Sequence, residues 1–345
     1  MADTNALLLR NFWYYALPGH RLARGRMLAR TLLGEPVLIG RALDGTPFAL
    51  KDMCAHRGMP LSCGRFDGRQ VECCYHGWCF DVTGRCTAIP SLVPDQAIDL
   101  AKIRVKSYPC REVQGNIWVF VGDDPAVAPG IPQLPDIGER GYDVVETMQY
   151  PVHVDHAVVG LIDPAHGPFV HRSVLWRTRG SMHAKTKRFG PSPWGFQMLR
   201  HRASRNSFAY RLLGSTPQTE ITFRLPGIRI EHIRAGRHVL INMTAVTPID
   251  AATCEVTNVI YWTMPWLTVL KPVLRGFMHL FLRQDRGTFR KLQIGLKQDP
   301  PLMLVKDADT QSRWYYQLKN EAVRAAAEGC EFVNPVRETE LRWRT

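Results

Sequence analysis

The sequence predicts an α+β protein of two domains, an all-β domain at residues 1–125 and a domain of mixed strands and helices at residues 126–345. Three observations predict it. The first third reads as short strands broken by turns, with no βαβ alternation. Residues 123–136 (DDPAVAPGIPQLPD) are proline-rich and aperiodic, as a linker is. Beyond them, strand-like and helix-like stretches are mixed.

In the first part, residues 37–41 and 48–53 read as strands joined across Asp44-Gly45-Thr46-Pro47. Residues 78–81 precede a Thr83-Gly84 turn, and 117–121 form another apolar run. In the second part, residues 228–232, 238–246 and 254–263 read as strands. Residues 321–329 read as a helix ending at Gly329. The most apolar stretch, 259–282, is interrupted by Pro265, Lys271, Pro272 and Arg275. It is expected to be a buried or half-buried helix rather than a membrane span, with contact at a membrane surface as the minor alternative. The N-terminus lacks the features of a secretory signal, and the expected location is cytoplasmic.

With 345 residues, 45% of them apolar, the chain can bury a core without disulfide staples. Its net charge of +13 suits an acidic partner. The basic residues are scattered and no nucleic-acid-binding motif accompanies them, so nucleic acid is not the expected partner. Nine cysteines, two of them close to histidines, favour metal ligation over a disulfide framework.

The strongest local signal is Cys54-Ala-His56 followed, after sixteen residues, by Cys73-Cys-Tyr-His76. Each half offers one thiolate and one imidazole, and a glycine follows each, at Gly58 and Gly77. Two Cys and two His can hold zinc or a [2Fe–2S] cluster. Zinc fingers usually run Cys-Cys then His-His, whereas each loop here carries one of each. A second signal is Asp163-Pro-Ala-His166-Gly-Pro-Phe-Val-His171. Two His with one carboxylate on one face suit non-haem Fe(II). On a straight helix, residues five apart point about 140° apart. Gly167-Pro168 breaks such a helix and can turn both rings to one point. His153 and His156, with Asp155 between them, are a rival pair.

The pattern Cys-x-His-Arg-Gly … Cys-x-Tyr-His-Gly-Trp, followed by His166 and His171, resembles the Rieske non-haem iron oxygenase large (alpha) subunits. The likeness runs from about residue 11 to 320. It is nearest the homotrimeric vanillate O-demethylase and dicamba demethylase-like type, which has no small subunit. The resemblance implies an N-terminal Rieske domain and a C-terminal helix-grip domain, an antiparallel sheet wrapped on a long helix. Cys54 and Cys73 would hold one iron of the cluster, and His56 and His76 the other. The disulfide of respiratory Rieske proteins would need cysteines where Met59 and Tyr75 stand, so that bridge is absent. Cys63, Cys74, Cys79 and Cys86 are expected to be buried free thiols.

The resemblance makes His166, His171 and Asp285 the mononuclear iron ligands. Asp285 comes from the segment Leu282-Arg-Gln-Asp285-Arg-Gly-Thr-Phe-Arg-Lys-Leu-Gln293, in which the family's carboxylate precedes a helix. Arg290 departs from the family pattern there, and Asp299 and Asp307 are weaker candidates. Asp163 would link a cluster histidine, His76, to ligand His166 across a subunit interface; a helix cap is its structural alternative. Many relatives have asparagine three residues before this aspartate. Here it is Gly160, which has no side chain to bring near iron.

The implied activity is that of a terminal oxygenase. Electrons come from NAD(P)H through a separate reductase, with or without a ferredoxin. With O2 they serve to hydroxylate or demethylate a hydrophobic substrate: aromatic, aryl ether, or terpenoid- or sterol-like. Residues 208–213, 239–243 and 262–282 are candidate pocket-lining segments. Ring dihydroxylation is the alternative within the family, and a Rieske electron carrier without oxygenase activity the alternative outside it.

Overall fold

The computed structural model describes residues 7–93, 95, 96, 98–126, 129–171, 182–202 and 217–345. The chain forms two compact units, one of Arg10–Gln133 and one of Leu134–Thr345 with the residues before Arg10.

In the unit of Arg10–Gln133 the described strands are β1 (Phe12–Pro18), β2 (Arg26–Leu32), β3 (Glu35–Arg41), β4 (Pro47–Lys51), β5 (Arg65–Phe66), β6 (Gln70–Glu72), β7 (Cys79–Asp81), β8 (Cys86–Ala88), β9 (Ser107–Tyr108), β10 (Cys110–Val113) and β11 (Asn116–Val121). They form three antiparallel sheets, β1-β11-β10, β2-β3-β4-β9 and β5-β6-β7-β8. The sequences FWYYALP of β1 and NIWVFV of β11 are buried along their whole length. Such runs cannot show the alternation of a half-exposed strand, which is why β1 escaped the sequence reading. Tyr15 and Trp118 meet edge-on at 5.6 Å between ring centroids. The core under β5–β8 includes Leu38, Leu50, Leu61, Val71 and Phe80, and Cys54 and Cys73 are embedded in it.

The second unit contains one eight-stranded antiparallel sheet in the order β12-β18-β17-β16-β15-β14-β13-β19. Its strands are β12 (Val144–Tyr150), β13 (Ala184–Ser192), β14 (Gly195–Arg202), β15 (Gln218–Arg224), β16 (Ile228–Ala235), β17 (His238–Pro248), β18 (Cys254–Trp262) and β19 (Thr339–Arg344). Among the described residues the α-helices are α1 (Val154–Ile162), α2 (Gly167–Val170), α3 (Lys271–Leu296) and α4 (Thr310–Glu328). The stretch 259–282 is therefore not one helix. It ends β18, passes through a 3-10 turn at Pro265–Leu270 and enters α3 at Lys271. Its β-branched first residues pair with β17, and Pro272 is tolerated because it lies in the first helical turn. α4 stops at Gly329, which is left-handed at φ 64°, a conformation glycine takes without Cβ strain. No described helix is long and apolar enough to cross a membrane.

One face of this sheet carries the helices. Cross-strand pairing sets Glu146, Asn258, Thr244, Arg229, Phe223 and Phe196 in one row. At one end α3 packs, with Arg275 and His279 bonding Glu146 at 3.2 and 2.8 Å, and Tyr150 Oη donating to the Leu282 carbonyl at 3.0 Å. At the other end α4 packs, with Trp314 and Tyr315 against Phe196 and Phe223 at 5.3 and 5.9 Å. Between them α1 covers the next row, where Val158 lies over Gly227 and Val246.

α1 and α4 are joined by a buried ion pair. Lys319 Nζ bonds Asp155 Oδ2 at 2.6 Å, and Tyr315 Oη donates to Asp155 Oδ1 at 2.5 Å. Lys319 and Asp155 side chains are 1% and 3% exposed. Removing one partner strands a charge in a dry interior. Asp155→Ala should cost about 3–5 kcal/mol in denaturant unfolding, and the apolar double variant Asp155→Leu/Lys319→Met should recover most of it.

Gly160 has a packing reason. A Cβ there would lie 2.6 Å from Phe289 Cζ, so the Phe289 ring occupies the space a side chain would need and brings α1 close to α3. Helix propensity alone favours alanine over glycine by about 0.5–1 kcal/mol. Gly160→Ala should instead destabilise by about 1–3 kcal/mol through overpacking, and Phe289→Leu in the same chain should reverse the sign.

Two candidate metal centres

The first centre is built by two loops of the same backbone design. In one, Cys54 N–H bonds the Met59 carbonyl at 2.8 Å and Gly58 N–H bonds the Cys54 carbonyl at 3.0 Å. In the other, Cys73 N–H bonds the Trp78 carbonyl at 2.8 Å and Gly77 N–H bonds the Cys73 carbonyl at 3.0 Å. Gly58 and Gly77 close the turns at φ 74° and 68°, where a Cβ would be strained. Asp52 braces the first loop by accepting from Ser62 N at 2.7 Å and Ser62 Oγ at 2.5 Å.

The four side chains separate into two pairs. Cys54 and Cys73 are buried, with their thiols side by side; burial, and then the neighbouring Cys73, raise the Cys54 pKa. His56 and His76 are half-buried, with ring centroids 4.7 Å apart. Burial, the Arg57 charge and His76 lower the His56 pKa, which favours a neutral ligating ring. No three of these four donors converge as a single ion requires; among the described residues that convergence occurs only at the second centre. Sulfur donors together on one side and nitrogen donors together on the other fit a two-iron cluster. Trp78 stacks on His56 at 4.6 Å and 4°, fixing the ring plane. Sequence reading passed over this contact, although the Gly77-Trp78 pair in the motif was its signal. Of the four other cysteines near these loops, Cys79 and Cys86 are buried, but Cys63 and Cys74 are exposed.

The second centre begins where α1 ends. Pro164 cannot continue the helix, and Asp163 N–H makes the last bond, to the Val159 carbonyl at 3.0 Å. The Asp163 carboxylate then accepts from Ala165 N at 2.7 Å, so it sits at the C-terminal end of α1 and caps no helix start. His166 and His171 flank the single turn α2. Their Nε2 atoms lie 3.2 Å apart, and Asp285 Oδ1 lies 3.1 Å from His171 Nε2. The three donor atoms lie within 4.8 Å of one another.

Both outer nitrogens have acceptors. His166 Nδ1 faces the Asp163 carbonyl at 3.0 Å, and His171 Nδ1 faces Gln284 Oε1 at 3.1 Å. With the proton held on Nδ1, each Nε2 presents a lone pair toward Asp285. Burial disfavours charge on His166, yet the adjacent Asp163 carboxylate and then Asp285 outweigh it and raise its pKa. The donor set fits a divalent iron with open positions.

Asp285 lies inside α3, not ahead of a helix. This placement matters, because Phe281, Gln284 and Asp285 share one side of α3 and enclose His171. Phe281 stacks on the ring at 3.6 Å and 13°, while Gln284 and Asp285 take its two nitrogens. Gln284 was missed in the sequence, where attention fell on Gln293; Gln293 is exposed. Its only sequence signal was adjacency to Asp285. His153 and His156 are not brought to this point: His153 Nδ1 caps α1 by accepting from Asp155 N at 3.3 Å. Asp299 and Asp307 do not join it either. Residues 208–213 lie outside the described residues.

The model of the Rieske [2Fe-2S] domain matches residues 12–109. The chain is 38% identical over 175 residues to "Chlorophyllide a oxygenase, chloroplastic" of Chlamydomonas reinhardtii, covering 49% of this chain and 25% of that protein. It is 39% identical over 127 residues to "4beta-methylsterol monooxygenase" of Methylococcus capsulatus, covering 37% and 34%. It is 35% identical over 169 residues to "Dicamba O-demethylase, oxygenase component" of Stenotrophomonas maltophilia, covering 48% of each. The chain thus spans a quarter to about half the length of these relatives. Dicamba monooxygenase bound to dicamba superposes with a TM-score of 0.74 at 23% identity, over 92% of this chain and 99% of that one. Pseudomonas putida CBB5 NdmA with caffeine superposes with a TM-score of 0.76 at 20% identity, over 92% of both. Residues 12–109 are a Rieske [2Fe–2S] domain; sequence likeness to Rieske oxygenase components covers up to about half of the chain, and the fold of such oxygenases extends over 92% of it.

Proposed function

We propose that this chain is the terminal oxygenase of a multicomponent system, hydroxylating or demethylating a hydrophobic substrate with O2 and electrons that a separate reductase draws from NAD(P)H. The observation that carries the reading is the convergence of His166, His171 and Asp285 in a chain that also bears the Cys54/His56/Cys73/His76 loops. An electron carrier alone has no use for the second centre. When bound, the cluster supplies single electrons and the iron a site for reducing O2.

The residues around these groups have definable tasks. Gln284 and the Asp163 carbonyl hold the Nδ1 protons of His171 and His166, so the ligating nitrogens keep their tautomer and aim. Phe281 prevents His171 from rotating and keeps water from its face. The Asp163 side chain is 28% exposed, with Oδ2 3.5 Å from His166 Nδ1. This supports its assignment as the link to His76 of a second subunit in a homotrimer.

Purified protein should show acid-labile sulfide and a Rieske EPR signal on reduction; a zinc-only metal content would overturn the reading. His166→Ala, His171→Ala and Asp285→Ala should each lose mononuclear iron and oxygen consumption while keeping the cluster signal. Gln284→Leu should retain all three ligands yet lose about 10- to 100-fold in iron affinity or turnover.

Arg57, Arg65, Arg69 and Arg85 are exposed around the cluster loops and suit an acidic electron donor. Reversing charge at Arg65 and Arg69 should slow reduction by the donor and flatten its salt dependence in stopped-flow measurements, without changing the cluster signal.

A further inference from the structure

The inner face of the sheet in the Leu134–Thr345 unit should be apolar if its only task were to pack helices. At its centre it is not. The row Glu146–Asn258–Thr244–Arg229 is polar between its aromatic end at Phe223 and Phe196 and the helix contact at Glu146. In the next row, Asn242 pairs with Glu231 on one side and Ile260 on the other. Asn258, Thr244, Arg229, Asn242 and Glu231 therefore make one contiguous polar patch on the helix-bearing face.

This patch is buried at Asn258 and Thr244, half-buried at Asn242, Arg229 and Glu231, and incompletely satisfied. Asn258 is 8% and Thr244 4% exposed. Asn258 Nδ2 donates to Thr244 Oγ1 at 3.1 Å, but its Oδ1 is buried with no hydrogen-bond partner among the described residues, and Asn242 Oδ1 is in the same condition. A buried amide oxygen without a donor is a standing cost, and a leucine, which has the same branching and no polar atom, would remove it. Charge in the patch is already balanced, since both terminal nitrogens' side of Arg229 meets Glu231 Oε2 at 3.3 Å. What the two amide oxygens lack, among the described residues, is a hydrogen-bond donor.

The helices that lead to or carry the iron ligands border it. α1 lies over the neighbouring row at Val246 and Gly227 and runs directly into the segment carrying His166 and His171. α3, which carries Asp285, is bonded to Glu146, the cross-strand neighbour of Asn258.

We infer that Asn242, Asn258 and Thr244 form a substrate subsite for a neutral hydrogen-bond-donating group, an alcohol, phenol or N–H, and that it discriminates against carboxylates. The inference rests on the oxygenase reading and names the substrate class: an apolar skeleton bearing a neutral donor. Two amide oxygens accept from such a group, whereas a carboxylate would meet them and Glu231 with its own lone pairs. An analogue lacking the donor leaves both oxygens buried and unmatched, the condition under which such sites discriminate strongly.

The test uses full-length, iron-loaded protein and three probes on one ring system: 2-naphthol, 2-methoxynaphthalene and 2-naphthoate, with binding measured by calorimetry. Wild-type protein should bind 2-naphthol about tenfold more tightly than the methyl ether, a difference of about 1.4 kcal/mol, and 2-naphthoate most weakly. In Asn258→Leu and in Asn242→Leu the naphthol preference should fall to within about twofold, while the ligand-free thermal midpoint holds or rises. A preference for the ether or the carboxylate, a naphthol preference that survives both substitutions, a fall in ligand-free stability marking the amides as structural, or binding of none of the probes would each overturn the inference. Failure of the oxygenase reading shows separately, as absence of iron uptake and oxygen consumption in wild-type protein. The probe preference remains measurable in that case.

Discussion

The second unit is organised around the hold of α3 on His171. A histidine five residues from its companion ligand has no helical reason to share a metal with it, so its ring must be aimed from outside its own segment. α3 does this with three residues on one side: Phe281 against the ring face, Gln284 at Nδ1 and Asp285 at Nε2. The aim is only as good as the placement of α3. That placement is fixed by Tyr150 on the Leu282 carbonyl, by Glu146 with Arg275 and His279, and by Phe289 seated over Gly160. α1, which delivers His166, is anchored in turn to α4 through Asp155, Lys319 and Tyr315. The ligand geometry is thus a property of helix packing rather than of any local motif.

The first unit solves its metal problem differently. Each loop positions its own cysteine and histidine through bonds within a few residues, and one glycine per loop makes the reversal possible without strain. The thiols are sunk in the apolar core and the imidazoles lie toward the surface. Burying the sulfur side restricts solvent there.

Gly160 and Phe289 show how two elements far apart in sequence are matched in volume. Gly160 leaves room for a ring from the helix bearing Asp285, and Phe289 fills it. Polarity is distributed with similar economy. The inward side of the sheet is aromatic under α4, carries the charged Glu146 under α3, and is amide-rich between those contacts.

What the sequence by itself determined is what depends on near neighbours. The paired Cys/His loops, the stop at Gly329 and the strands with clear turns were legible because spacing and backbone preference encode them, whereas the helix break expected at Gly167-Pro168 lies at Asp163-Pro164, and Gly167-Pro168 instead open the turn α2. Strands buried on both sides, such as β1, and the true start of α3 were less so, since continuous apolar runs carry no period that separates strand from helix. Tertiary structure decided the rest: the convergence of Asp285 with His166 and His171, the role of Gln284, the exposure of Cys63 and Cys74, and the polar row across β18, β17 and β16. These depend on which face of each element turns toward another more than a hundred residues away, or on strand register, and a one-dimensional pattern does not record either.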